Sequence, residues 1–169
     1  MPGVGGRDLK EDNALETADV INKVNPDFVR IRTFSPKLGT ELMDEIRSGK
    51  WVPCTEMEKL LEIKTVIENL HNVDGYLYSD HMFNLFEEIQ GNMKTDKEKM
   101  LAVIESFEKL DRDSQRRYMI ARRIGIVRFL DGMDYLKAEQ TTMLDNHLKQ
   151  LNTDERFEEF LSECLRNVL

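Results

Sequence analysis

Only two cysteines occur in the 169-residue chain, Cys54 and Cys164, and they form no CxxC or CxxxCxxC pattern. A disulfide framework and a cysteine-bound metal centre are therefore not expected within these residues, and a reducing, cytoplasmic compartment is the simplest setting. The three histidines, His71, His81 and His147, are too scattered to make a zinc site or a histidine–aspartate hydrolase the first choice. Long apolar runs are missing too: none approaches the ~20 residues that span a bilayer, so no membrane partner is expected. Residues 1–6 lack the basic-then-apolar pattern of a signal sequence. Positive charge is the minority sign, 24 basic against 32 acidic residues for a net charge of −8. Nucleic acid is accordingly not expected as a partner, because phosphate binding needs a basic field.

What is present suits a folded, helix-rich chain. Hydrophobic residues make up 40% and charged residues 33%, which suggests helices with ion-paired outer faces around an apolar core. The length allows roughly two-thirds of the unfolded surface to be buried.

A glycine tract at Gly3, Gly5 and Gly6 leads into a helical pattern with Asp8 as its expected N-cap. Leu9, Ala14, Thr17, Ala18 and Ile21 share a face of that helix, and Asn25-Pro26 ends it, since proline disfavours the α region for the residue before it. Phe28–Phe34 reads as a strand, residues 41–48 as a short helix, and Thr55 with Glu58 as a capping box opening the strongest helix. Asp74-Gly75 turns into a second short strand, Tyr76-Leu77-Tyr78. Beyond Gly91 the pattern is helical, with helices expected near 94–109, 113–130, 132–150 and 153–168. The division this suggests is an α/β portion over 1–92 and a helical region over 93–169. Two strands are too few for an ordinary sheet or a closed barrel.

Three groups of residues stand out chemically. Gly3, Gly5 and Gly6 before a helix could cradle an anionic ligand, although the tract lacks the lysine of a P-loop and, taken alone, reads as a mobile tail. Arg30 and Arg32 lie two apart on a strand and so share a face; they either decorate an exposed edge strand or meet a carboxylate in a polar cavity. Ser79-Asp80-His81 ends the second strand, where polar residues of α/β proteins are often site residues, and where aspartate could orient an imidazole. A turn, or the cap of a following helix, is the plainer role for that tripeptide. Arg116, Arg117, Arg122 and Arg123 suit a solvated helix face paired with nearby acids.

The order and spacing of Pro2-Gly3-Val4-Gly5-Gly6, Asn13–Ala18, Asn25–Thr33, Gly39–Leu42, Ile67–Leu70, Ser79-Asp80-His81 and Asp96–Leu101 resemble the last third of the partial (β/α) barrel in radical SAM Fe–S oxidoreductases related to coproporphyrinogen dehydrogenase. The resemblance covers roughly residues 1–108, with a weaker echo at Ala121–Gly125. It implies an α-rich α/β fold, a fragment of a partial (β/α) barrel followed by a helical region. It also implies that Gly3, Gly5, Gly6, Arg30 and Arg32 lie near an S-adenosylmethionine site and that Ser79, Asp80 and His81 lie near the substrate. The cofactors implied for the full-length family are S-adenosylmethionine and a 4Fe-4S cluster. The cluster-binding CxxxCxxC segment is absent here, so no cofactor is expected on this chain alone. The expected partner is a second copy or a cluster-bearing N-terminal half. The rival expectation is a non-catalytic helical interaction module working through residues 94–169.

Overall fold

The computed structural model describes residues 1–166. The chain forms two compact units, residues 1–104 and 105–169. They divide inside a helix, later than the 92/93 division expected. The part of that helix in the first unit carries Met100 and Ile104, both wholly buried.

In the first unit, α1 (Lys10–Val24) buries Ala14, Ala18 and Ile21 at spacings of four and three. The two alanines let it lie close along α3 (Glu56–Glu68). Leu9, not Asp8, precedes the helix, and no side chain caps it. Consecutive turns over residues 2–9 feed the chain in, with the Leu9 carbonyl accepting from the Asn13 amide at 2.8 Å. The helix stops at Asn25, which takes a left-handed φ of 45° ahead of Pro26.

The strand β1 (Phe28–Arg30) runs parallel to β2 (Tyr76–Tyr78), with Phe28 opposite Tyr76, Val29 opposite Leu77 and Arg30 opposite Tyr78. Parallel pairing requires a crossover. The chain supplies it with α2 (Glu41–Arg47) and α3. The expected capping box is present: Thr55 Oγ1 accepts from the Glu58 amide and Glu58 from the Thr55 amide. Gly75 is required where β2 begins, since a Cβ there would lie 2.0 Å from the Pro26 carbonyl oxygen. A third strand, β3 (Gly91–Asn92), not foreseen from the sequence, pairs antiparallel with β2. The result is an α-rich α/β unit whose small sheet has the order β1-β2-β3.

β1 is shorter than the expected Phe28–Phe34 run because a side chain replaces the neighbouring strand. Ile31 still donates its amide to the Tyr78 carbonyl at 2.8 Å. Beyond it, Asn84 accepts from the Thr33 amide at 3.0 Å and donates to the Ile31 carbonyl at 2.9 Å.

In the chain's second half, α4 (Lys97–Glu108) is followed by α5 (Arg112–Arg123), capped by Asp111. A single helix over 113–130 was expected; α5 instead ends before Gly125, which has a φ of +78° that favours glycine. A 3₁₀ segment, Leu130–Tyr135, stands where the next helix was expected to begin, and α6 (Ala138–Gln150) starts later. The last helix, α7 (Asp154–Arg166), buries Phe157, Leu161 and Leu165. Its expected continuation to 168 lies outside the described residues. α5 packs against α6 and α7, and Phe107 meets Tyr118 edge to face at 5.6 Å between ring centroids.

Candidate functional site

The two faces of the β1–β2 pair differ. Ile31 and Leu77 are buried toward the helices, whereas Phe28, Arg30, Tyr76 and Tyr78 stand exposed on the other face. The Tyr76 and Tyr78 rings lie 4.5 Å apart between centroids. Arg30 and Arg32 share this open face, as alternation predicts.

Arg30 forms a two-pronged ion pair with Asp80, through Nε to Oδ1 at 3.1 Å and through Nη2 to Oδ2. This hydrogen bond raises the Arg30 pKa, and together with the arginine charge it holds the Asp80 carboxyl below the ordinary carboxylate value. Asp80 is thus committed to Arg30 and does not orient His81. The His81 Nδ1 instead accepts from the Phe83 amide at 3.3 Å, which places any ring proton of the neutral form on Nε2. Partial burial, followed by the charge of Arg32, lowers the His81 pKa. Arg32 is exposed and makes no hydrogen bond or ion pair of its own among the described residues, yet its charge acts on both Asp80 and His81.

Ser79 does not face a ligand. It is wholly buried; its hydroxyl donates to the Phe86 carbonyl at 2.6 Å and accepts from Asn84 Nδ2 at 3.1 Å. Asn84 completes the set by accepting from the Thr33 hydroxyl at 2.9 Å. Asn84 therefore ties the ends of β1 and β2 together, a role that sequence reading missed. Its only signal was an amide residue inside a short apolar stretch, Met82–Phe86.

The glycine tract is not a mobile tail. Gly3 and Gly6 are buried in positive-φ turns, and a Cβ on Gly6 would lie 2.8 Å from the Trp51 ring. The amides of Gly3, Val4 and Gly6 are directed to Glu62 Oε1 at 2.9 Å, the Met1 carbonyl at 3.3 Å and the Gly3 carbonyl at 3.2 Å. The loop does bind a carboxylate, but that carboxylate is the chain's own. Gly5 is half-buried.

Glu62, also missed from the sequence, is buried on α3. It accepts from Gly3, from Asn13 Nδ2 at 2.7 Å and from the Cys54 thiol at 3.6 Å. Burial, then the Glu62 charge, pushes the Cys54 thiol up to about 12, so it is not a thiolate nucleophile at neutral pH.

Beneath β1 lies a cavity of about 50 Å³, lined by Thr17, Ile21, Val29, Ile31 and Val66, with Asn13 and Glu62 also contributing. That volume is enough for a few water molecules or a small apolar side chain. Among the described residues, no group of three or more His, Cys, Asp or Glu is placed to hold a metal ion. No helix among them is long and apolar enough to cross a membrane. No protein-family model, curated protein or solved structure matches the chain.

Proposed function

We propose that the chain is the C-terminal portion of a radical SAM enzyme, a fragment of a partial (β/α) barrel. It would contribute one wall of the S-adenosylmethionine and substrate cavity and be inactive alone. The observation that carries this reading is the convergence of three separate segments at one end of a parallel strand pair. Arg30 and Arg32 lie at the C-terminal end of β1 and Asp80 and His81 follow β2. The Phe34 amide donates to the Pro2 carbonyl at 2.8 Å, which brings the glycine tract to the same end. In α/β sheets joined by helices, ligands bind at the C-terminal ends of the strands.

Within that cavity Arg32 is the group available to an anion, since Arg30 is held by Asp80. The glycine tract would act by setting the position of α1 and Pro2, because the amides of Gly3, Val4 and Gly6 are already engaged. Ser79 would support the site from behind, through Asn84. The radical chemistry belongs to the cofactor pair, whose cluster needs three thiolates that this chain lacks.

The test is anaerobic reconstitution with iron, sulfide and S-adenosylmethionine, on the chain alone and mixed with a CxxxCxxC-bearing polypeptide encoded beside it. The chain alone is expected to hold no cluster. Reductive release of 5′-deoxyadenosine is expected to increase in the mixture, and to fall when Arg32→Gln replaces the wild type. A stable four-iron protein formed by this chain alone, or a mixture no more active than the cluster-bearing polypeptide by itself, would sink the reading.

A further inference from the structure

β1 is an edge strand, and its free side is open. The Asp27 carbonyl accepts from Tyr76, and the Ile31 amide donates to Tyr78, so the odd-numbered residues face β2. The amides and carbonyls of Phe28, Arg30 and Arg32 therefore point away from the sheet, and none makes a hydrogen bond on that side among the described residues. Two positions further on, the same side is occupied: the Phe34 amide donates to the Pro2 carbonyl. The chain's own N-terminal residues thus run beside the strand at one end of this row, and Met1 and Pro2 share the lining of the cavity with Val29, Arg30 and Ile31.

The cavity lies under the same strand. Its mainly apolar lining joins Val29 and Ile31 of β1 to Thr17 and Ile21 of α1 and Val66 of α3; Met1 and Pro2 also line it, as do the polar Asn13 and Glu62. A strand laid along the free edge would point alternate side chains toward the helices, as Val29 and Ile31 do. Open ladder groups beside an apolar recess are the two elements of recognition by strand addition: the main chain supplies affinity and the recess supplies specificity.

We propose that the outer edge of β1 takes an extended segment of another polypeptide as an added strand, with one apolar side chain of that segment seated in the cavity. The segment alternates apolar residues with acidic ones. Its helix-facing side chains meet Val29, Ile31 and the recess, while an acidic side chain on the open face meets Arg32, beside the Arg30–Asp80 pair. A second copy of this chain fits less well. Antiparallel pairing of two copies about Arg30 sets one guanidinium opposite another, and like charges directly opposite destabilise a ladder. The inference needs only β1, α1 and α3, so it is independent of the radical SAM reading.

The full chain, labelled with nitrogen-15, is titrated with a blocked octapeptide that alternates valine and glutamate. Amide exchange at Phe28, Arg30 and Arg32 should slow as the peptide binds, while the amides of α5 and α7 stay unchanged. A valine–lysine peptide should bind at least about tenfold more weakly. Arg30→Pro removes an outward amide without touching the bonds to β2 and should abolish binding. Thr17→Trp fills the recess from α1 and should weaken binding by about tenfold or more. The spectra of both variants away from β1 report whether each still folds. Equal binding by both peptides, binding unaffected by either variant, or no slowed exchange at millimolar peptide would overturn the proposal. So would protection of these three amides without peptide in a chain that sediments as a dimer, since the occupant would then be a second copy.

Discussion

Both units bury an apolar core, but the first also buries a set of hydrogen-bonded polar side chains, whereas the second buries few. Among the described residues, buried polar side chains gather in the first unit at Thr33, Glu56, Lys59, Glu62, Ser79, Asn84 and Glu87, while the second has Arg123. Several polar side chains of the first unit join segments about fifty positions apart: Glu62 holds the glycine tract, Asn84 replaces a strand for Thr33, and Asn25 accepts from the Asp74 amide at 3.0 Å. In the second unit the ion pairs have at least one well-exposed partner, Asp154 with Arg112 and the less exposed Arg116, and Asp145 with Arg117. Apolar burial is non-directional and tolerates substitution, whereas a buried hydrogen-bonded group permits one geometry and is costly to leave unpaired. The first unit is therefore the one built to hold particular atoms in place, and the exposed arginine–aspartate–histidine cluster lies on it.

The largest test of this contrast is Asn84→Leu. The change nearly conserves volume but orphans the Thr33 amide and the Ile31 carbonyl and removes a partner of the buried Ser79 hydroxyl. Leaving such groups unsatisfied costs about 1–3 kcal/mol each, so a total loss of about 3 kcal/mol or more is expected. Urea unfolding followed by circular dichroism measures it. A loss below about 1 kcal/mol would mean that water replaces the amide easily and that this polar core is not the constraint described.

The corresponding change in the second unit should be far milder. Asp154→Asn weakens the pairs with Arg112 and Arg116; the Asp154 and Arg112 side chains are 67% and 66% exposed, and the less exposed Arg116, at 14%, keeps its stacking on the Phe157 ring. Exposed pairs contribute about 0–1 kcal/mol and are screened by salt. The expected loss is under about 1 kcal/mol and should vanish in molar sodium chloride. A salt-independent loss as large as that of Asn84→Leu would erase the distinction between the units.

The contrast also explains what was legible in the sequence. Periodicity located α1 and a capping box located α3, because Ala14, Ala18 and Ile21 or Thr55 and Glu58 act within a few positions of one another, whereas the expected Asp8 cap of α1 did not form. The parallel pair was implied by helices between two β-rich runs. The two-residue β3 carries no periodicity at all, and the break at Gly125 was hidden by isoleucines continuing on both sides of it. At the site, alternation placed Arg30 and Arg32 on one face, but nothing local announced that Asp80 would pair with Arg30 or that Glu62 would occupy the glycine loop. Those bonds span 50 and 59 positions, and partner choice at that separation is decided by the fold.

The smallest expected effect concerns Arg32, which makes no hydrogen bond or ion pair of its own among the described residues. His81 sits below its ordinary value of 6.5, first because it is partly buried and next because Arg32 is positive. Arg32→Gln removes the second cause and keeps the first, so the His81 pKa should rise without passing 6.5, while Arg32→Lys should leave it depressed. A ring-proton titration by NMR reads both. The sign carries into stability. A histidine with a depressed folded pKa favours the neutral ring, so its contribution is present above the unfolded value and is lost as pH falls through the folded one. Arg32→Gln should therefore lose less stability than the wild type when the pH falls below 6.5. If the His81 titration does not move in Arg32→Gln, the guanidinium points away from the strand end in solution. It would then be unavailable to an anion bound beside His81, and the assignment of Arg32 to ligand binding would fail, while the Asn84-tied strand pair would be unaffected.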